Sequence, residues 1–182
     1  MAIESWKIRS RKLRNEGSHR TLDDVVFELP NGRVETFSLF HMAKKCVCVL
    51  ALTTDNHIVL ARQYRPGPGK VLDELPGGCV EADEELEDAV KRELLEETGY
   101  ACQDLQYLGC PFEGPYSTVE RHAFLATGCF KQGSQKLDDD EFIEVVLKPI
   151  PEFIQQIAAG QNADLEVAWM GMFRAGILTI RP

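Results

Sequence analysis

The sequence predicts an α/β protein with layers packed around a mixed sheet, and three observations carry that prediction. CVCVLALT (46–53) is a continuous apolar run of strand length, and IVLARQY (58–64) returns beside it after the turn TDNH. The only convincing helical pattern in the middle of the chain, 83–97, has strand candidates on both sides of it. Two further helical segments, 151–160 and 164–178, follow the last strand candidate.

The elements follow in chain order. Residues 1–45 begin basic and polar and then read as short strands. Asn31-Gly32 is a turn signal between VVFELP and RVETFSLF and predicts a hairpin. This segment carries too little apolar surface to fold by itself, so it is expected to pack on the rest of the chain or on a second copy. The division expected is 1–45 as a small N-terminal β extension and 46–182 as the main domain. RPGPGK (65–70) is a loop by its Pro and Gly content, VLDEL (71–75) a short strand ended by PGG. QDLQYLGC (103–110), VERHAFLAT (119–127) and FIEVVLK (142–148) are the remaining strands.

Bulk properties narrow the function. The chain has 182 residues, 44% hydrophobic and 27% charged, which suits a globular chain that needs no disulfide staples. Its net charge of −9 argues against nucleic acid as a partner, because such binding rests on Lys and Arg over phosphates. A phosphorylated small substrate stays possible where a divalent cation inverts the local charge. No apolar run approaches about 18 residues, so no membrane helix is expected. The first residues have charge but no apolar core of a signal peptide, and the expected location is cytoplasmic. The six cysteines (46, 48, 79, 102, 110, 129) form no CxxC pair, and Cys46 and Cys48 read as small core residues on one strand face.

RELLEETGY (92–100) poses the functional question. With about 100° per residue, Glu93, Glu96 and Glu97 continue the stripe that Leu86, Ala89 and Val90 turn toward the core. Gly99 marks them as lying in the last turn, where the helix dipole already presents negative charge. A Glu-rich helix is ordinarily a solvated face. Here the direction is wrong for that, and burying unpaired carboxylates is costly. Hard divalent cations prefer oxygen ligands and offset such repulsion, and metals held this way suit phosphoryl chemistry.

The flanks complete a pattern. Gly78 is followed by five residues and Glu84, then seven residues and Arg92-Glu93-Leu94, one residue, Glu96-Glu97, one residue, Gly99 and Tyr100. This spacing, eight specified positions over 23 residues, resembles the signature box of the Nudix hydrolase family. Tyr100 is the one departure, since the pattern expects a large aliphatic residue there. The resemblance implies a loop–helix–loop on an α/β/α sandwich. It implies hydrolysis of a nucleoside diphosphate linked to another moiety, with Mg²⁺ or Mn²⁺. It further implies Glu93 and Glu97 as main metal ligands, Glu96 shared between ions, the Gly77 carbonyl as a further ligand, and Arg92 tying down the box carboxylates.

Three features beyond the box resemble the ADP-ribose or ADP-sugar pyrophosphatase branch. These are the approach RQYRPGPGKVLDELPGG (62–78), Pro115 sixteen residues past Gly99, and the N-terminal extension, similar to strands through which that branch forms homodimers. The branch often opens its last helix with a Lys-Thr pair, whereas this chain has NADLEVAWMGMF (162–173). The resemblance also implies a general base in the acidic loop GSQKLDDDEFIEV (133–145), Glu141 first and Glu144 second, against the plain reading of a solvated loop. Arg65 and then Arg62 are candidates for phosphate contact, with Lys70 a third, because guanidinium suits bidentate oxygen recognition. Phe112, Tyr116 and Trp6 are candidates to stack on a base, though such residues are more often core. His122 reads as structural. The expected reaction releases AMP and a sugar phosphate. The alternatives are a nucleoside triphosphate or other nucleotide-sugar hydrolase, and a non-catalytic nucleotide-binding module, which usually lacks a box Glu or Arg.

Overall fold

The computed structural model describes residues 4–14 and 21–179. They divide into two compact units. One holds the described residues up to Lys45 with Phe112–Glu120; the other holds Cys46–Pro111 and the described residues from Arg121 on.

In the first unit, β1 (Lys7–Arg14), β2 (Thr21–Glu28) and β3 (Val34–His41) form an antiparallel sheet in that order. The hairpin predicted at Asn31-Gly32 is present. Gly32 takes φ +81°, which an L side chain rarely adopts, and Asn31 Oδ1 accepts the Arg33 amide at 3.0 Å. β1 lies in the stretch that reads as basic and polar. Ion pairs to β2, such as Arg14 Nε to Asp24 at 2.9 Å, accompany its backbone ladder, so apolar alternation could not reveal it. Residues 112–120, which the sequence places in the 46–182 division, group with this unit. The Phe40 amide donates to the Tyr116 carbonyl and the Thr118 amide to the Phe40 carbonyl, both at 2.8 Å. Such backbone pairing between distant segments leaves no local sequence signal.

The second unit follows the predicted layers. Its strands are β4 (Cys46–Thr53), β5 (His57–Arg65), β6 (Lys70–Glu74), β7 (Tyr100–Ala101), β8 (Asp104–Gly109), β9 (Arg121–Lys131) and β10 (Glu144–Pro149). Its helices are α1 (Leu86–Thr98), α2 (Ile150–Ala158) and α3 (Leu165–Arg174). The sheet runs β10-β5-β4-β9-β7, with β6 on β5 and β8 on β9; β4 and β9 are parallel, so the sheet is mixed. β9 outlasts the predicted 119–127 because Gly128, at φ +62°, absorbs an irregularity in the ladder. Predicted helix 83–97 begins at Leu86 instead, since Asp83 takes φ +62° and cannot be helical.

Pleating sorts the side chains of β4 and β5 by parity. Val47, Val49 and Val59 pack with Ala89, Val90 and Leu94 of α1. Cys48, Leu50, Ile58 and Leu60 face the other way, onto Phe153 of α2 and Val167 and Met172 of α3. Each fully buried Val, Leu or Ile stabilises by about 1.5–3 kcal/mol relative to exposure. The two faces give the expected α/β/α sandwich. No helix among the described residues is long and apolar enough to cross a membrane.

One break in the sheet creates the site. β5 bonds β4 only at Ala51–Val59 and Leu52–Ile58 and then parts from it. β6 takes the outer half of β5, while the loop after β6 continues along β4: the Val49 amide donates to the Pro76 carbonyl and the Val47 amide to the Gly78 carbonyl.

Candidate active site

Gly77 and Gly78 sit in that wedge, and each has a steric reason to be glycine. A Cβ on Gly77 would lie 2.2 Å from the Val47 carbonyl oxygen; one on Gly78 would lie 2.5 Å from Glu93 Oε1. The loop therefore presses its backbone on β4 on one side and on the acidic helix on the other.

The acidic stripe of α1 faces this loop. Ala89, Val90, Leu94 and Glu97 are buried, so the carboxylate direction predicted from spacing holds for Glu97. The Glu93 side chain is 12% exposed, and that of Glu96, at the edge of the stripe, is 37% exposed. The Gly77 amide donates to Glu97 Oε2 at 2.9 Å. Burial nevertheless raises the Glu97 carboxyl to about 8, with Glu93 and Glu141 pushing the same way and the Gly77 amide and Arg65 opposing. Glu93 is raised too, by burial against the pull of Arg92.

Arg92 spends its whole donor fork here. Nε and Nη2 donate to the two Glu84 oxygens at 2.9 and 3.0 Å, Nη2 also to the Cys79 carbonyl at 3.0 Å, and Nη1 to Glu93 at 2.8 Å and Glu96 at 3.0 Å. Arg92 thereby bonds Glu84, Glu93 and Glu96 at once and holds Glu84 below the ordinary carboxylate range.

The end of α1 answers the dipole problem. Gly99 takes φ +70°, and a Cβ there would meet the Gly133 carbonyl at 2.4 Å. With no basic residue in the last turn, donors come from the following loop. Lys131 Nζ donates to the Thr98 carbonyl at 2.8 Å, Gln135 Nε2 to the Glu97 carbonyl at 2.7 Å, and the Lys136 amide to the Glu96 carbonyl at 2.9 Å. Gln135 also bonds the Ile143 carbonyl at 3.0 Å, so the acidic loop is strapped to the acidic helix. This places Glu141 where its charge acts on both Glu93 and Glu97. Glu144 instead lies opposite Arg62 on β5 and is 70% exposed.

Sheet parity separates the two arginine candidates. Arg65 shares the α1 face: its Nε lies 2.7 Å from the buried Glu74, and its charge lowers Glu97. Arg62 lies on the face with Ile58 and Leu60, its Nε 2.6 Å from Asp73, in a cleft lined by Lys70, Lys148 and Gln156. The structure does not bring Arg62 to the acidic helix, because an odd offset along β5 reverses the face; Lys70, which opens β6 opposite Arg65, lines the Arg62 cleft. Pro115 and Tyr116 lie in the first unit, where Tyr116 stacks on Phe37. Phe112, Tyr116 and Trp6 are all exposed rather than core, Phe112 at 92%. His122 is buried and bonded to Tyr107 Oη at 3.0 Å.

Two contributors carried no sequence signal. Gln135 is an ordinary polar loop residue until its partners are known. Asp164, in the 162–173 segment, is 7% exposed; it accepts the Leu75 amide at 3.1 Å and Arg121 Nη1 at 2.6 Å, steadying the strand end just before the glycine loop.

The donor set fits a hard divalent cation: carboxylates and carbonyls with no soft ligand, and negative charge crowded under burial. Among the described residues the acids do not already converge as a cage, since Arg92 holds Glu93 and Glu96 while the Gly77 amide holds Glu97.

Comparison with protein families matches residues 42–168 to the NUDIX domain. The chain is 34% identical over 138 residues to a methanol dehydrogenase activator of Bacillus methanolicus, covering 75% of this chain and 73% of that one. It is 30% identical over 150 residues to an ADP-ribose pyrophosphatase of Bacillus subtilis (strain 168), covering 81% and 80%. A crystal structure of an ADP compounds hydrolase superposes with a TM-score of 0.78 over 98% of this chain and 100% of that one; at 19% identity this is a likeness of fold.

Proposed function

Since this chain belongs to the Nudix family, we propose that it hydrolyses the pyrophosphate bond of a nucleoside diphosphate linked to another moiety, ADP-ribose or an ADP-sugar, releasing AMP and a sugar phosphate. The observation that carries the reading is the pair Glu93 and Glu97 turned from solvent against the glycine loop, with Glu96 at the edge of the stripe and Arg92 bonding Glu93 and Glu96.

Glu93, Glu96, Glu97 and the Gly77 carbonyl are the residues that would hold Mg²⁺ or Mn²⁺. Such an ion, when bound, neutralises diphosphate oxygens and acidifies a coordinated water. The chain supplies the rest. Arg92 fixes which way Glu93 and Glu96 point. The Gly77 amide orients Glu97. Glu141, strapped near Glu93 and Glu97 by Gln135, receives the proton of the attacking water on its carboxylate. Arg65, on the same face, is the residue we assign to phosphate contact. The exposed β1 edge and the aromatic side chains beside it support a homodimer formed through the N-terminal strands.

The test is AMP release from ADP-ribose with Mg²⁺, repeated with chelator. Turnover that needs the cation is the expected result. A chain inert toward every nucleoside diphosphate derivative in a substrate panel would overturn the reading.

A further inference from the structure

We propose that Cys46 and Cys79 are a modification site, forming a reversible intramolecular disulfide that clamps the glycine loop onto β4 and slows turnover. The turnover half of this inference rests on the hydrolase reading above; the bond itself rests on geometry.

Cys46 opens β4, and Cys79 directly follows Gly78. They face each other as an isolated antiparallel bridge, with their sulfurs 3.8 Å apart. The flanking hydrogen bond, from the Val47 amide to the Gly78 carbonyl at 2.9 Å, makes theirs a non-hydrogen-bonded pair. In that arrangement the α-carbons approach to about 4.5 Å, within the range a disulfide spans. Bringing the sulfurs to a bonding distance of about 2.05 Å needs side-chain rotation and a small shift of the loop. Cys46 is buried and Cys79 half-buried, so Cys79 is the thiol a small oxidant reaches first.

The co-reactant is a low-molecular-weight disulfide such as oxidised glutathione. The Cys79 sulfur attacks it, one S–S bond breaks, a mixed disulfide forms and one glutathione thiol leaves. The Cys46 sulfur then attacks the Cys79 sulfur, the intramolecular bond forms and the second glutathione thiol leaves. Two protein thiols are oxidised, one glutathione disulfide is reduced, and the two protons end on the released thiols.

The site lies where a small displacement matters. The Cys79 carbonyl is an Arg92 acceptor at 3.0 Å. Gly78 has no slack against Glu93, as the 2.5 Å Cβ approach shows. Drawing Cys79 toward β4 moves both contacts together.

The experiment incubates the full chain with oxidised glutathione, maps disulfides by non-reducing peptide mass spectrometry, and follows AMP release from ADP-ribose before and after dithiothreitol. The expected result is a linked peptide pair containing residues 46 and 79, with turnover falling about tenfold or more, as sub-ångström to ångström misplacement does, and returning on reduction. Cys46→Ala should keep the reduced rate and form no intramolecular bond, stopping at the glutathione adduct on Cys79, which intact mass reads as one added glutathione; Cys46→Ser is the second variant if alanine does not fold. Absence of the linked pair, a bond formed elsewhere, or an equal loss in Cys46→Ala molecules that carry no glutathione adduct overturns the proposal. A linked pair with unchanged turnover overturns its regulatory half. A reduced chain that releases no AMP defeats the hydrolase reading, while the peptide map still decides the bond.

Discussion

The Gly77 amide donates to Glu97 Oε2 at 2.9 Å, joining the glycine loop to the last turn of α1. That bond gives a buried carboxylate a fixed orientation while its second oxygen stays available. It offsets part of the burial cost of a residue 5% exposed, although burial still raises the carboxyl to about 8.

Glu97→Gln tests whether charge or shape matters at this position. The amide oxygen still accepts the Gly77 amide, so the fold should survive with an unchanged circular dichroism spectrum. AMP release should fall by about a hundredfold or more, since even outer residues of a metal site cost 10–100-fold. A variant turning over ADP-ribose at the parent rate would remove Glu97 from the ligand set.

Gly77→Ala and Gly78→Ala should fail differently. The Cβ added at Gly77 meets backbone, the Val47 carbonyl at 2.2 Å, which cannot move aside. Overpacking of that kind costs about 1–3 kcal/mol, so the melting temperature should drop by roughly 2–10 °C. At Gly78 the added Cβ meets the Glu93 carboxylate at 2.5 Å, a side chain that can swing. There the melting temperature should hold and kcat should fall. The reverse pattern would contradict the geometry.

Much of this site was legible because it is local. Glu93, Glu96 and Glu97 lie within one helix, so a 3.6-residue period places them on the core stripe. The sandwich was legible because Val47, Val49, Cys48 and Leu50 are apolar on both strand faces, as a strand covered on both sides requires. What stayed hidden is nonlocal. Gln135 reaching the Glu97 carbonyl, Asp164 holding the Leu75 amide, and Phe40 pairing with Tyr116 join segments that no window spans. Arg65 and Arg62 both read as phosphate candidates in one approach segment, Arg65 first; strand parity sends them to opposite faces.

Arg92→Lys should behave as a radical substitution. Arg92 meets Glu84, Glu93, Glu96 and the Cys79 carbonyl at once, from a planar fork that a single ammonium cannot reproduce. We expect kcat to fall about 10–100-fold, because Glu93 and Glu96 lose the orientation Arg92 gives them, with KM for ADP-ribose changing far less. Loss confined to KM would mean that Arg92 acts on substrate binding instead.

The acid limb of stability should trace to Asp73. Its carboxyl lies below the ordinary value of 3.8: burial pushes it up, but hydrogen bonds from Arg62 and Lys148, with their charges, outweigh that. The Arg62 Nε and Lys148 Nζ contacts are 2.6 and 2.5 Å. The folded chain therefore holds this proton more weakly than the unfolded chain does. The stabilisation is complete above the ordinary value and is lost as pH falls through the lower, folded value. Melting temperatures measured from about pH 7 down to about pH 3 should fall steeply below about pH 4. In Asp73→Asn the melting temperature should be lower at neutral pH, where two partly buried cations lose their counter-charge, and the acid decline should be shallower. Parallel curves for parent and variant across the whole range would show that Asp73 contributes nothing to that limb.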